Sequence, residues 1–168
     1  PALKNFKKGD KLNDKEFVRC AVWYGYWDAS EETATGRLRL KAKYVENFVE
    51  KYFGRKIEKH GSLDGGTNFA LRYLGGYYYY PIGDAADRRF AQVTKLIDIG
   101  NNEFSLSADV YEALFEEFEA IDPFGPPSEW KKIIKDQAYL PLVVAKINAR
   151  IKKLADRYIL VEYLEVSK

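Results

Sequence analysis

The chain contains no methionine, a single cysteine and a single histidine, and this scarcity excludes several kinds of site. Cys20 has no second cysteine with which to form an intrachain disulfide. A zinc site takes several Cys or His ligands, and only Cys20 and His60 could supply them. A nucleophile that relies on a histidine base would need Cys20 beside His60. We predict instead a small thiol in the core, an imidazole on the surface, and no metal or cofactor.

The sequence also lacks a long apolar run. A membrane-spanning helix needs about 18 or more apolar residues, whereas the longest candidate, residues 140–147, is interrupted by Pro141 and Lys146. We therefore predict no transmembrane segment. The chain begins at Pro1 and has no methionine, so we expect that its natural start was removed by processing or truncation. The cysteine count suits a cytosolic protein and a protein exported by a Gram-positive bacterium equally well.

The charges nearly balance, with 27 basic and 25 acidic residues and a net charge of +2. A protein that binds phosphate backbones usually carries a clustered basic surplus, so we predict no nucleic-acid partner. Hydrophobic residues make up 46% of the 168 residues, which is typical of a globular protein of one-domain length. We predict a single domain over residues 1–168.

The first predicted helix follows a capping signal. Asn13 followed by Glu16 is typical of an N-cap with its return partner three residues later. We expect the helix to run from there to about Trp27. Residues 28–35 are small and polar, and they predict a loop.

The second helix is predicted over residues 42–53, where apolar side chains recur at spacings of three and four. Gly54 is the expected C-terminal stop. Residues 37–41, just before this helix, alternate like a strand. The connection at 55–76 contains five glycines and predicts an irregular segment, with a short helix at about 69–74.

Several strands are predicted after this connection. Residues 77–82 are rich in β-formers, and residues 90–99 and 103–111 flank a hairpin turn at 100–102. In residues 103–111, apolar and polar side chains alternate plainly, as in a sheet with one face on the core.

The last part of the chain is more ambiguous. Residues 114–137, with three prolines, predict a partly helical excursion between strands. Residues 140–154 suit both a strand and a helix, and a short turn at 155–156 before the β-rich residues 158–166 favours the strand. The fold class is thus α+β, with N-terminal helices on an antiparallel sheet built mostly from residues 77–113 and 140–166.

Acidic and glycine-rich turns offer weak signals for chemistry. Residues 61–67 lack the lysine of a phosphate-binding loop, and we interpret them as a flexible loop. Asp64, Asp84 and Asp87 lack the spacing of a calcium loop and suit turn aspartates. A pair of carboxylates for glycoside cleavage depends on their separation in space, so a role for Asp84, Asp87 or Asp109 stays open.

Aromatic residues supply the most distinctive pattern. Tyrosine occurs 13 times, four of them consecutively, and alternate residues of a strand point to opposite faces. One tyrosine pair should therefore lie in the core, while the other faces solvent or a groove. Exposed rings can contact sugars or peptides, but they can equally form an aromatic ladder that only stabilises the sheet. The candidate ligand-binding residues are Tyr77, Tyr78, Tyr79, Tyr80, Asp84, Asp87, Trp23 and Trp27.

The order of elements over about residues 40–166 resembles a known group. It is carried by residues 44–54, 76–84, 102–111 and 156–160, and by a strand that ends at Ile99. In this order the chain resembles secreted or lipoprotein domains of Gram-positive bacteria with a cystatin-like or NTF2-like cone-shaped sheet, among them the inhibitor lipoproteins of cell-wall DL-endopeptidases. The resemblance implies an extracytoplasmic location and a non-catalytic binding role.

The hypothesis with most support is a binding or inhibitory module that acts through an aromatic-lined concave face. Its partner would be a cell-wall component or a cell-wall protein. The first alternative is a small-molecule enzyme with a cone-shaped pocket that uses Asp and Tyr as acid and base. The second is a structural or assembly module whose exposed tyrosines are buried in a symmetric dimer.

Overall fold

The computed structural model describes residues 3–64, 70–82 and 87–167. Within these residues the fold is α+β, with four α-helices, a short 3₁₀ helix and two open antiparallel sheets. The helices are α1 (Asp14–Asp28), α2 (Ala42–Phe53), α3 (Phe115–Ala120) and α4 (Pro127–Ile133), and the 3₁₀ helix is Gln137–Tyr139. The strands are β1 (Glu31–Glu32), β2 (Arg37–Lys41), β3 (Arg72–Leu74), β4 (Tyr77–Pro81), β5 (Asp87–Gly100), β6 (Glu103–Leu114), β7 (Leu142–Lys153) and β8 (Tyr158–Ser167).

The chain divides into two compact units, residues 1–83 with 153–161 and residues 84–152 with 162–168. The first unit contains α1, α2 and a sheet with the strand order β1-β2-β4-β3. The second contains α3, α4 and most of a sheet with the order β5-β6-β7-β8. A domain is defined by independent folding, so the prediction of a single domain stays a prediction.

The prediction of one sheet is wrong. Strand β4 pairs with β2 on one side and with β3 on the other. Both of its edges are therefore occupied, and β5 cannot join it. Strand β5 instead forms a hairpin with β6 and begins the second sheet.

Helix α1 begins where the capping signal predicts. The Asn13 side-chain oxygen accepts a hydrogen bond from the Glu16 backbone N–H at 3.2 Å, which satisfies one of the free donors of the first turn. The Glu16 carboxylate forms an ion pair with Lys4 Nζ at 3.0 Å. Helix α1 buries an apolar stripe of Phe17, Val18, Ala21 and Val22.

The predicted helix over residues 42–53 is confirmed, and the alternation before it belongs to a strand. Residues 37–41 form β2, α2 follows directly, and it ends at Gly54 in the left-handed conformation, with φ 63°. The predicted loop at 28–35 is wrong in part, because it contains the two-residue edge strand β1. The short helix expected at 69–74 is also wrong, because residues 72–74 form β3; Phe69 lies outside the described residues. Gly75 and Gly76, both with positive φ, make the tight turn that folds β3 onto β4.

Gly25 allows α1 to approach the sheet closely. A Cβ atom at this position would lie 2.7 Å from Tyr44 Cε1 and 2.9 Å from Leu40 Cδ2. We expect Gly25→Ala to lower the free energy of unfolding by about 1–2 kcal/mol, because overpacking outweighs the better helix propensity of alanine. Leu40 is fully buried and has no room to move aside. Urea denaturation followed by circular dichroism measures the loss.

Gly61→Ala is the matched control for this prediction. A Cβ at position 61 meets no atom of the described residues within 4 Å. We expect its stability to stay within about 0.5 kcal/mol of the wild type. If Gly25→Ala were as stable as Gly61→Ala, the close approach of α1 would not be a tight contact.

In the second unit, the hairpin turn and the strands lie where local sequence patterns predict them. Asn101 and Asn102 both have positive φ and form the predicted hairpin turn between β5 and β6. The ambiguous residues 140–154 lie largely in strand β7, as the alternation favours. The excursion between β6 and β7 contains α3 and α4, and Trp130 of α4 is its buried anchor. The Gln92 amide donates to the backbone oxygens of Pro123 at 2.8 Å and Gly125 at 2.6 Å.

Candidate binding face

Strand β4 separates its four tyrosines into two pairs, as the alternation predicts. Tyr78 and Tyr80 are 0% exposed, whereas Tyr77 and Tyr79 are half-buried. The two pairs differ because α1 and α2 cover only one face of the first sheet. Tyr78 lies opposite Leu40, and Leu40 contacts Gly25 of α1 on this covered face. Only Tyr77 and Tyr79 can therefore contact a ligand directly.

The register of the strands brings cationic side chains to the face of Tyr77 and Tyr79. Arg39 and Arg72 lie opposite Tyr79, on β2 and β3, and Lys41 lies opposite Tyr77. Side chains two residues apart share a face, so Arg37 belongs to the same face. Glu31 of β1 lies opposite Arg39. We define the tyrosine face by the following residues: Glu31, Arg37, Arg39, Lys41, Arg72, Leu74, Tyr77 and Tyr79.

Arg39 organises the centre of the tyrosine face. Its guanidinium lies 4.9 Å from the centroid of the Tyr77 ring, in a cation–π contact. It also pairs with Glu31, with Nη2 at 2.8 Å from a carboxylate oxygen. The hydrogen bond that Arg39 donates to the Glu31 carboxylate raises the pKa of Arg39 above its ordinary value. The rings of Tyr77 and Tyr79 are in contact, with centroids 6.3 Å apart.

Tyr80 is an internal anchor rather than a binding residue. Its hydroxyl hydrogen-bonds the Ser30 hydroxyl, and Ser30 Oγ donates to the Gly25 carbonyl oxygen at 2.9 Å. Burial raises the pKa of the Tyr80 phenol. These contacts tie the end of α1 to β4, so Tyr80 stabilises the first unit.

Tyr78 belongs to a part-buried polar network that the sequence analysis missed. Its hydroxyl lies 2.8 Å from His60 Nδ1, and His60 Nε2 lies 3.2 Å from a Glu46 carboxylate oxygen. Because a carboxylate can only accept, Nε2 donates to Glu46, and the tautomer with its proton on Nε2 leaves Nδ1 to accept from the Tyr78 hydroxyl. The His60 ring also stacks on Tyr73, with centroids 5.2 Å apart.

The prediction that His60 is a surface imidazole is therefore wrong in part, because its side chain is only 18% exposed and has polar partners at both nitrogens. Asp14 helps to fix the position of His60. One Asp14 carboxylate oxygen accepts hydrogen bonds from the backbone N–H groups of Glu58 and Lys59, at 3.0 and 2.9 Å. This holds the chain just before His60 against the start of α1. The sequence carries no local signal for this network, because Tyr78 and Glu46 lie 18 and 14 positions from His60 in the sequence.

Cys20 is a core thiol, as predicted. It is buried on α1, and burial raises the pKa of its thiol to about 12. A thiolate is the reactive form of cysteine, so this environment does not suit a nucleophile.

The remaining predicted residues do not join the tyrosine face. Trp23 is 57% exposed on α1, in the helical layer on the other side of the first sheet. It lies next in sequence to Tyr24, which stacks on Phe48 of α2 with centroids 5.5 Å apart. The side chains of Trp27 and Asp87, and all of Asp84, lie outside the described residues.

A shallow, open groove of about 290 Å³ lies in the second unit, beside α3. Glu116, Glu117, Lys135, Asp136 and Tyr139 supply its polar lining. Over residues 3–64, 70–82 and 87–167, no group of three or more His, Cys, Asp or Glu side chains could hold a metal ion. None of the helices in these ranges is long and apolar enough to cross a membrane.

Comparison of the chain with protein-family models, curated proteins and solved structures finds no match.

Proposed function

We propose that this chain is a non-catalytic binding module that acts outside the cytoplasmic membrane through the tyrosine face. In this proposal its fold belongs with the cystatin-like or NTF2-like domains that its order of elements resembles, and its partner is a component of a Gram-positive cell wall. The observation that carries the proposal is the pair Tyr77 and Tyr79. They are half-exposed on a regular sheet face and are bordered by cationic side chains.

The contrast between the two tyrosine pairs supports this role. Tyr78 and Tyr80 direct their hydroxyls to internal partners, so they account for stability. Tyr77 and Tyr79 contact each other and Arg39 but keep part of their surface in water. Aromatic side chains with an apolar body and a polar tip, held on a rigid strand, are well suited to binding.

The enzymatic alternative draws less support from the geometry. An active site is usually a concave pocket that contains groups with a perturbed pKa. The groove beside α3 is shallow and open. In the His60 network, the Tyr78 hydroxyl is buried beneath the sheet, and both nitrogens of the His60 ring already have polar partners. An assembly role would instead bury the tyrosine face in a symmetric dimer, and light scattering tests it directly.

The test is cosedimentation of the purified protein with Gram-positive cell walls. We expect the double variant Tyr77→Ala/Tyr79→Ala to bind about tenfold more weakly or worse, because two contact rings are lost. Tyr139→Ala is the control, since Tyr139 is an exposed tyrosine, at 48%, that lies in the second unit. Its binding should equal that of the wild type.

Circular dichroism of each variant separates a loss of binding from a loss of folding. Equal binding by the tyrosine double variant and the wild type would contradict the role of the tyrosine face. Failure of the wild-type protein to bind walls would contradict the proposed partner. A complete reading frame without an export signal would contradict the proposed location.

A further inference from the structure

The tyrosine face carries four cationic side chains and one carboxylate, although the whole chain is nearly neutral. Arg37, Arg39 and Lys41 follow one another along β2 at intervals of two residues, or roughly 7 Å. Arg72 continues the row across β4 onto β3, because it lies opposite Tyr79 as Arg39 does. Pairing of three strands thus concentrates positive charge that the sequence distributes over residues 37–72.

These cations differ in how far they are already neutralised. Arg39 is held by Glu31 through two of its nitrogens, at 2.8 and 3.0 Å. Lys41 lies 3.8 Å from the other oxygen of the same carboxylate. Within the described ranges, Arg37 and Arg72 form no ion pair with an acidic side chain, and both are exposed. The free charge of the face therefore lies at Arg37 and Arg72, on either side of the tyrosines.

We infer that the tyrosine face binds a polyanion, namely a phosphate-linked polymer of the cell wall, an inference that rests on the binding role proposed above. Arginine presents a planar fork of donors that matches the oxygens of a phosphate group. An extended polymer with regularly spaced phosphates can contact Arg37 and Arg72 together, with Lys41 as a third site. The Tyr77 and Tyr79 hydroxyls can hydrogen-bond the units between the phosphates.

The geometry favours this ligand over a single-stranded nucleic acid. Non-specific binding of single strands depends on bases that stack on open aromatic faces. On the tyrosine face, the Arg39 guanidinium covers one side of the Tyr77 ring, and the Tyr77 and Tyr79 rings contact each other. One side of the Tyr77 ring is thus taken by a cation, whereas phosphate oxygens and hydroxyl groups need only donors and cations.

The experiment compares four probes with the same protein: whole Gram-positive walls, walls from which the phosphate polymer has been removed by acid, soluble poly(glycerol phosphate), and an oligothymidylate of equal charge. We expect binding to whole walls and to poly(glycerol phosphate), weakening as salt increases. We expect Arg37→Gln/Arg72→Gln to weaken both by about tenfold or more. Lys95→Gln/Lys152→Gln is the control, because it removes two exposed cations of the second sheet.

Each outcome decides one of the two claims. Equal binding of the arginine variant and the wild type to both kinds of wall would overturn the polyanion inference and leave the binding role intact. Tighter binding to the oligothymidylate than to poly(glycerol phosphate) would overturn the inference in favour of nucleic acid. Failure of the wild type to bind any wall would overturn the proposed function itself. An equal loss in the lysine control would show a non-specific charge effect and overturn the assignment to the tyrosine face.

Discussion

Replacing Trp130 with alanine should lower the free energy of unfolding by about 3–5 kcal/mol, the range for deleting a large buried aromatic side chain. Trp130 is 2% exposed. Its indole meets Phe90 and Tyr111 edge-on, with ring centroids 5.4 and 5.0 Å apart. Its Nε1 donates to the Asp122 carbonyl oxygen at 2.8 Å. One side chain thus fastens the proline-rich excursion to the strands of the second sheet.

Urea denaturation followed by far-ultraviolet circular dichroism measures this loss. Trp130→Phe should cost less, because it keeps most of the ring packing and loses the hydrogen bond to Asp122. Phe124→Ala is the control from the same segment, since Phe124 is 91% exposed, and its effect should stay within about 0.5 kcal/mol. A loss for Trp130→Ala no larger than that of Phe124→Ala would show that the excursion does not depend on this anchor.

Replacing Tyr78 with alanine should be about as damaging in the first unit, at about 3–5 kcal/mol. The ring is 0% exposed and packs against Tyr73 and His60, with centroids 5.1 and 5.9 Å apart. Its removal leaves a cavity and removes the hydroxyl partner of His60. Tyr78→Phe keeps the ring and should cost about 1–2 kcal/mol, because the imidazole nitrogen is left without that partner.

Alkaline pH provides a second readout for Tyr78. Burial, followed by the nearby Tyr73, raises the pKa of Tyr78 from 10.0 to about 12. The folded state therefore keeps this proton at a pH where the unfolded chain releases it. The resulting stabilisation is fully present below about pH 10 and is lost as the pH rises towards 12. The thiol pKa of Cys20 is also raised, from 9.0 to about 12, so its titration likewise lowers the free energy of unfolding as the pH rises.

The free energy of unfolding of the wild type should therefore decrease between about pH 9 and pH 12, and less steeply in Tyr78→Phe. Denaturation curves at several pH values measure both slopes. The comparison separates the titration of Tyr78 from that of Cys20, which is present in both proteins. Identical slopes would show that the Tyr78 hydroxyl is not shielded from water in the folded state.

Sequence reasoning located the tyrosine strand but chose its binding residues too broadly. The alternation in residues 77–80 predicts two pairs on opposite faces, and the structure has two such pairs. The alternation does not tell which pair is buried, because that depends on which face of the sheet α1 and α2 cover. The alternation of cations and leucines in residues 37–41 was visible as well. Its link to the tyrosines depends on strand pairing over about forty residues of sequence.

The position of charged side chains also depends on strand pairing, which the sequence does not show. A net charge of +2 argues against a clustered basic surface when charges are counted along the chain. In the folded first unit, Arg39 and Arg72 lie opposite the same tyrosine, although 33 positions separate them in the sequence. A balanced total is therefore compatible with a local cationic face, because register decides which charges become neighbours.

The sequence by itself determined the features that depend on neighbours within four residues. These are the Asn13 cap of α1, the Gly54 stop of α2, the asparagine turn before β6 and the strand in β7. Only the tertiary structure decided which strands flank β4, that His60 is enclosed between Glu46 and Tyr78, and which cations surround Tyr77 and Tyr79. The physical reason is that caps, turns and alternation follow from local backbone geometry. Strand order and register follow instead from how distant segments bury their apolar faces together.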